Sequence, residues 1–139
     1  MKKQQISAVI LGIFVGLVLW LTVVGREPIH TNIFLFKPLH SFNNIIEQIK
    51  RYGIHGNFLG NILMFIPIGF LYPMAFSEDI GCTVVFGCVL TVSIECSQLI
   101  LSYGFFEVDD IICNLLGAMI GWLMLKVTVL TLNKKSKMQ

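Results

Sequence analysis

Apolar positions along the chain fall into four long blocks separated by short polar breaks. The first block, 6–24, carries no charge and follows the basic pair Lys2-Lys3. Its length is close to the roughly 20 residues a membrane-crossing helix needs. A secretory leader also starts basic, but its apolar stretch runs only about 7–15 residues and closes on a small-residue cleavage pattern. Val23-Val24-Gly25 is a poor version of that pattern, so the block reads as an uncleaved first transmembrane helix. Blocks 58–76, 82–101 and 110–130 supply three more spans. Within the second, Pro67 removes a backbone donor and displaces the Leu63 carbonyl, which predicts a kink; Pro73 marks the approach to the exit. Ser77-Glu78-Asp79 makes a tight turn into the third.

Segment 25–56 is the longest polar connection. Inside it Phe42, Ile45, Ile46, Ile49 and Tyr52 fall on one side of a helical wheel, with Asn43, Asn44, Glu47, Gln48, Lys50 and Arg51 filling the other. This spacing predicts an amphipathic helix capped by Ser41 and stopped by Gly53, lying in the lipid interface. For the apolar run at 33–36 two readings stand open: it dips into the same boundary, or it caps the helix bundle.

Composition moves the picture further from a soluble domain. Hydrophobic residues make up 55% of the chain and charged ones 13%, against about 45–50% and about 25% in soluble proteins. A net charge of +2 is too small to point to nucleic acid. Lysines sit at both ends, Lys2-Lys3 and Lys134-Lys135-Ser136-Lys137. By the positive-inside tendency both termini are cytoplasmic, which requires an even number of spans. The expectation is an all-α integral membrane protein of one domain, 1–139, with four transmembrane helices and an extracellular first loop. Cys82, Cys88, Cys96 and Cys113 form no C-x-x-C pair and have no His spaced to join them in a zinc site, so they read as buried apolar thiols.

With that topology, polar groups from all four helices reach one depth near the outer leaflet. Arg26 leaves the first span there; Asn57 and Asn61 open the second; Glu95 and Gln98 lie in the outer half of the third; Asp110 and Asn114 open the fourth. A charged side chain at the bilayer centre costs roughly 2.5–3.5 kcal/mol or more, so an intramembrane ionisable residue is read first as functional. Asp110, Asn114, Gly117 and Gly121 make a stripe of polar then small residues, and Thr91, Glu95, Gln98 and Ser102 make the stripe expected to face it. Arg26 is a candidate partner for Glu95 or Asp110. Against this, Asn57, Asn61, Gln98 and Asn114 read equally well as hydrogen-bonding glue between helices. Asp110 also suits a helix N-cap, and Glu107 and Asp109 suit a solvated turn.

These residues resemble the VanZ-like family of small bacterial membrane proteins. The resemblance rests on Arg26; Asn61 with Phe65-Ile66-Pro67-Ile68-Gly69; Ser93-Ile94-Glu95 with Gln98; and Glu107-Val108-Asp109-Asp110 with Asn114, Gly117 and Gly121. It implies a Gram-positive cell membrane and low-level resistance to teicoplanin, a lipid-tailed glycopeptide, with little effect on vancomycin. It lends no established mechanism. The family often carries an arginine just before the acidic turn, where this chain has Gly104-Phe105-Phe106; either Arg26 takes over its task or the site is altered.

Two functions follow. The first is a non-enzymatic binder of a membrane lipid or lipid-linked cell-wall precursor, with Arg26, Asn57, Asn61, Glu95, Gln98, Asp109, Asp110 and Asn114 as the binding set. The second is an intramembrane enzyme using Glu95 and Asp110 as an acid/base pair. Neither requires a cofactor. A metal held by Glu95, Asp109 and Asp110 is the weaker variant, because no His lies among them. The three histidines, His30, His40 and His55, all fall in the first loop.

Overall fold

The computed structural model describes residues 2–24, 34–35, 58–101 and 106–137. Helix α1 spans Lys2–Leu19 and widens into a π-helical turn at Trp20–Val24. Helix α2 is Phe58–Ala75, α3 is Ile80–Ile100 and α4 is Val108–Ser136. These match the four apolar blocks. The main departure is α4, which continues past the expected end at 130 into the basic tail, because Asn133, Lys134 and Lys135 extend a helix without needing to be buried.

Three stretches, Lys2–Val24, Ile80–Ile100 and Val108–Ser136, are long and apolar enough to cross a membrane. Helix α2 has 18 residues, about 27 Å at 1.5 Å per residue, slightly under the roughly 30 Å of hydrocarbon. It is also the helix most enclosed by others: α4 and α1 pack along it, and its Phe65 and Ile68 are fully buried. With Leu11, Val18, Ala75, Leu90, Ile94 and Ala118 they form the core. The outside is apolar too, with Ile13, Val85, Leu123 and Leu130 exposed. Water penalises such a surface, whereas hydrocarbon accepts it. The chain is a helical membrane protein.

The closest helix approach lies between α2 and α4. A Cβ added at Gly117 would land on the Ile62 carbonyl oxygen, and one at Gly121 on the Ile66 carbonyl oxygen. The small residues of the sequence stripe therefore serve backbone contact, as expected, but against α2 rather than α3. Asn114, on the same stripe, turns toward α3. Helix α2 continues through both Pro67 and Pro73.

At the α2–α3 turn, Asp79 caps α3 by accepting the Cys82 N–H at 3.1 Å. The Trp122 indole donates to the Glu78 carbonyl at 3.0 Å, and Lys126 pairs with the Glu78 carboxylate at 2.9 Å. Both contacts fasten the turn to α4. At the opposite end, Phe34–Leu35 (β1) pairs in parallel with Phe106–Glu107 (β2). This two-residue ladder is an exception to the all-α expectation. It ties Phe34 and Leu35 to the entry of α4. The predicted amphipathic helix at 41–53 lies outside the described residues. The cysteines are free thiols, but only Cys113 is buried. Cys82 and Cys88 are exposed and Cys96 is half-buried, so the expectation of buried thiols holds for Cys113 alone; the others sit on faces that hydrocarbon accepts.

Candidate functional site

One face of α3 organises the site. Thr91, Glu95 and Gln98 step by four and three residues, the spacing that stacks side chains on one side of a helix. All three are buried, Glu95 at 1% exposure and Gln98 at 2%. Ser93 and Ser97, off that face, return their hydroxyls to the Val89 and Ser93 carbonyls of their own helix. Ser102, the last residue of the expected stripe, lies outside the described residues.

Each buried residue on this face reaches a different neighbour. The Asn114 amide of α4 donates to the Thr91 hydroxyl at 2.7 Å. One turn on, Glu95 Oε2 accepts the backbone N–H of Glu107 at 2.9 Å, at the entry to α4. A further turn on, Gln98 Nε2 donates to the Thr22 carbonyl at 3.0 Å, in the π-helical turn of α1. The Thr22 hydroxyl itself bonds back to the Val18 carbonyl at 2.7 Å. The three polar residues thus join α3 to α4 twice and to α1 once. A buried donor or acceptor left alone costs about 1–3 kcal/mol, so the register of the three helices is held at this level.

The head of α4 departs from the sequence expectation. The helix begins at Val108 with Glu107 in the cap position, making no side-chain cap bond. Asp110 is therefore not the cap; it sits in the first turn, half-buried. Asp109, expected in a solvated turn, is buried at 4% exposure. The reason is the row of inward positions on α4, where Asp109, Cys113, Gly117, Gly121 and Leu125 follow each other at four-residue steps. The polar stripe read from sequence began one residue later. Acidic groups in a first turn are favoured by the exposed N–H groups and the helix dipole.

Of the expected site residues, Glu95, Gln98, Asp109 and Asn114 occupy buried positions and Asp110 is half-buried. Asn61 is half-buried on α2. Arg26 and Asn57 lie outside the described residues, as does the Arg26 pairing. Two participants escaped sequence reasoning: the Glu107 backbone N–H and the Thr22 carbonyl. Both are main-chain groups, which every residue type supplies alike, so no side-chain pattern could have marked them. Among the described residues no three His, Cys, Asp or Glu side chains are placed to share a metal ion.

The Thr91–Asn114 bond carries a direct test. Membrane interhelical side-chain bonds average about 0.6 kcal/mol with a maximum near 1.7. A cycle of Thr91→Val, Asn114→Leu and the double variant should give a coupling in that range by reversible unfolding in detergent. Additive effects of the two changes would show that the bond contributes nothing.

The model of the VanZ/LLP1 family matches residues 8–130 of this chain. Comparison with curated proteins and with solved structures returns no match.

Proposed function

From the premise that the chain belongs to the VanZ/LLP1 family over residues 8–130, we propose that it is a binder in the outer leaflet of a Gram-positive cell membrane. It holds the headgroup of a membrane lipid or lipid-linked cell-wall precursor. In doing so it lowers the binding or accumulation of teicoplanin-type glycopeptides, giving low-level resistance. The observation that carries this reading is Glu95: a carboxylate at 1% exposure, anchored by a backbone N–H and flanked on its own helix face by two other buried polar groups. Packing alone has no need of an ionisable group where Gln would hydrogen-bond as well.

The helix directions support the outer-leaflet placement. Glu95–Glu107 and Glu78–Lys126 contacts make α3 and α4 antiparallel, and Gln98–Thr22 makes α1 parallel to α3. The start of α1 and the end of α4 then lie at the same end, with Lys2, Lys3, Lys134, Lys135 and Lys137 gathered there. The proposed four spans, with that basic end in the cytoplasm, would put Glu95 in the outer half.

A second reading, an intramembrane enzyme acting on a lipid-linked substrate, draws on the burial of Asp109. It makes Glu95 and Asp109 the enclosed carboxylates, with Asp110 at the rim in place of the expected Glu95–Asp110 pair. Susceptibility to teicoplanin and vancomycin separates the cases, using wild type, Glu95→Gln and Asp109→Asn at matched membrane levels in a sensitive Gram-positive host. The expected result is a teicoplanin-selective rise in tolerance with wild type that Glu95→Gln removes. A rise that survives both substitutions would take this cluster out of the function. The enzyme reading requires in addition that wild type, and not Glu95→Gln, changes the lipid or wall-precursor profile.

A further inference from the structure

Helix α1 turns one side inward and leaves the opposite side open. Ser7, Leu11 and Val18 are its buried positions. On the outward side Lys2, Gln5, Ile6, Val9 and Ile10 recur at the three- and four-residue steps that make a single helix stripe. Together they line a groove of about 320 Å³. That is room for on the order of ten water-sized groups. All five residues are exposed, Ile6 at 58% and Val9 at 62%.

Polarity changes once along this groove. Lys2 and Gln5 stand at the end of the span, and Ile6, Val9 and Ile10 run inward from them. Lys2 and its neighbour Lys3 have no ion-pair partner among the described residues. The first turn of α1 carries no acidic residue, so its free N–H groups add to the positive character of the lysines. The groove begins about 30 Å from Thr22 at 1.5 Å per residue, which sets it at the opposite end of the span from the Glu95 face.

Hydrocarbon alone suits the aliphatic part of the groove but not its ammonium, and water alone suits the reverse. A second copy of the chain fits poorly. In a two-fold pair the same patch meets itself, which would set Lys2 against Lys2. A lipid with an anionic headgroup matches both parts at once.

We infer that the groove holds an anionic phospholipid, with its phosphate at Lys2 and Gln5 and one acyl chain along Ile6, Val9 and Ile10. This goes beyond the binder reading and does not depend on it. The Lys2 ammonium and the Gln5 amide are both donors, and a charge-assisted bond to phosphate is stronger than a neutral one. A zwitterionic headgroup brings its own cation toward the lysines and loses part of that attraction.

The test is native mass spectrometry of the purified full chain in detergent. Dioleoyl phosphatidylglycerol, dioleoyl phosphatidylcholine and glycerol phosphate are the probes. Phosphatidylglycerol is expected to be retained about fivefold or more over phosphatidylcholine, without competition from glycerol phosphate. Lys2→Gln should remove most of that preference, whereas Lys135→Gln, which deletes the same charge at the end of α4, should leave it. Val9→Trp, which fills the groove from an exposed position, should lower retention of both lipids. Thermal unfolding checks that each variant is folded. Equal retention of the two lipids would overturn the inference, as would a preference that both lysine variants reduce alike or retention that Val9→Trp leaves unchanged. Competition by glycerol phosphate would assign the site to free phosphate, and a dimer dissociated by Val9→Trp would assign the groove to a second copy; either result also overturns it.

Discussion

Gly121→Leu is expected to prevent recovery of folded protein, and Gly117→Leu to do nearly the same. At both positions the first added carbon overlaps a backbone carbonyl of α2, Ile66 or Ile62. Backbone atoms cannot rotate aside as a side-chain tip can, so relief requires α2 and α4 to separate along their whole contact. Overpacking usually costs about 1–3 kcal/mol and occasionally more, and here the upper end applies because α2 is central to the bundle. Helix α1 supplies the control. Gly12 and Gly16 have the same four-residue spacing, yet nothing lies within 4 Å of a Cβ at either. Gly16→Leu should therefore unfold at the wild-type temperature or slightly above it, since Leu has a higher helix propensity than Gly, by less than the roughly 0.8–1 kcal/mol that separates Gly from Ala. Unfolding of the three variants in detergent decides the matter. A Gly121→Leu protein as stable as Gly16→Leu would mean that α2 and α4 are not in backbone contact.

The second large effect is a separation of stability from function at Glu95. Glu95→Ala removes the acceptor for the half-buried Glu107 N–H, which should cost about 1–3 kcal/mol. The head of α4 and the β1–β2 ladder, which also involves Glu107, should loosen together. Glu95→Gln keeps an oxygen in reach of that N–H and should stay within about 1 kcal/mol of wild type, while losing the teicoplanin shift. Amide hydrogen exchange at the start of α4, read beside susceptibility, checks both halves. If Glu95→Gln destabilises as much as Glu95→Ala, the carboxylate is a structural anchor and the functional reading moves away from it.

Several features were readable before any coordinates. Block length alone marked the four helices to within a few residues at most ends, because the hydrocarbon thickness imposes a length on any apolar helix. The Thr91–Glu95–Gln98 face was readable for a related reason. Helical spacing assigns residues three and four apart to one side, and polar groups in an apolar helix seek that side. The head of α4 was harder. Asp109 and Asp110 are neighbours of the same type, and which one turns inward depends on where the helix begins. That start is decided by the strand-like Phe106–Glu107 segment pairing with Phe34–Leu35, a contact between residues about seventy positions apart.

The membrane class, the four apolar helices, the polar face of α3 and the glycine row of α4 were legible in the order of residues alone. All of these follow from properties each segment carries locally: length, periodicity and side-chain size. Only the tertiary structure decided which helix each face meets. The glycines turned to α2 and not α3, Asp109 was buried where a solvated turn was expected, and Gln98 reached across to the Thr22 carbonyl. Partner choice rests on backbone groups and helix register, which are common to all residues and leave no mark in the order of side chains.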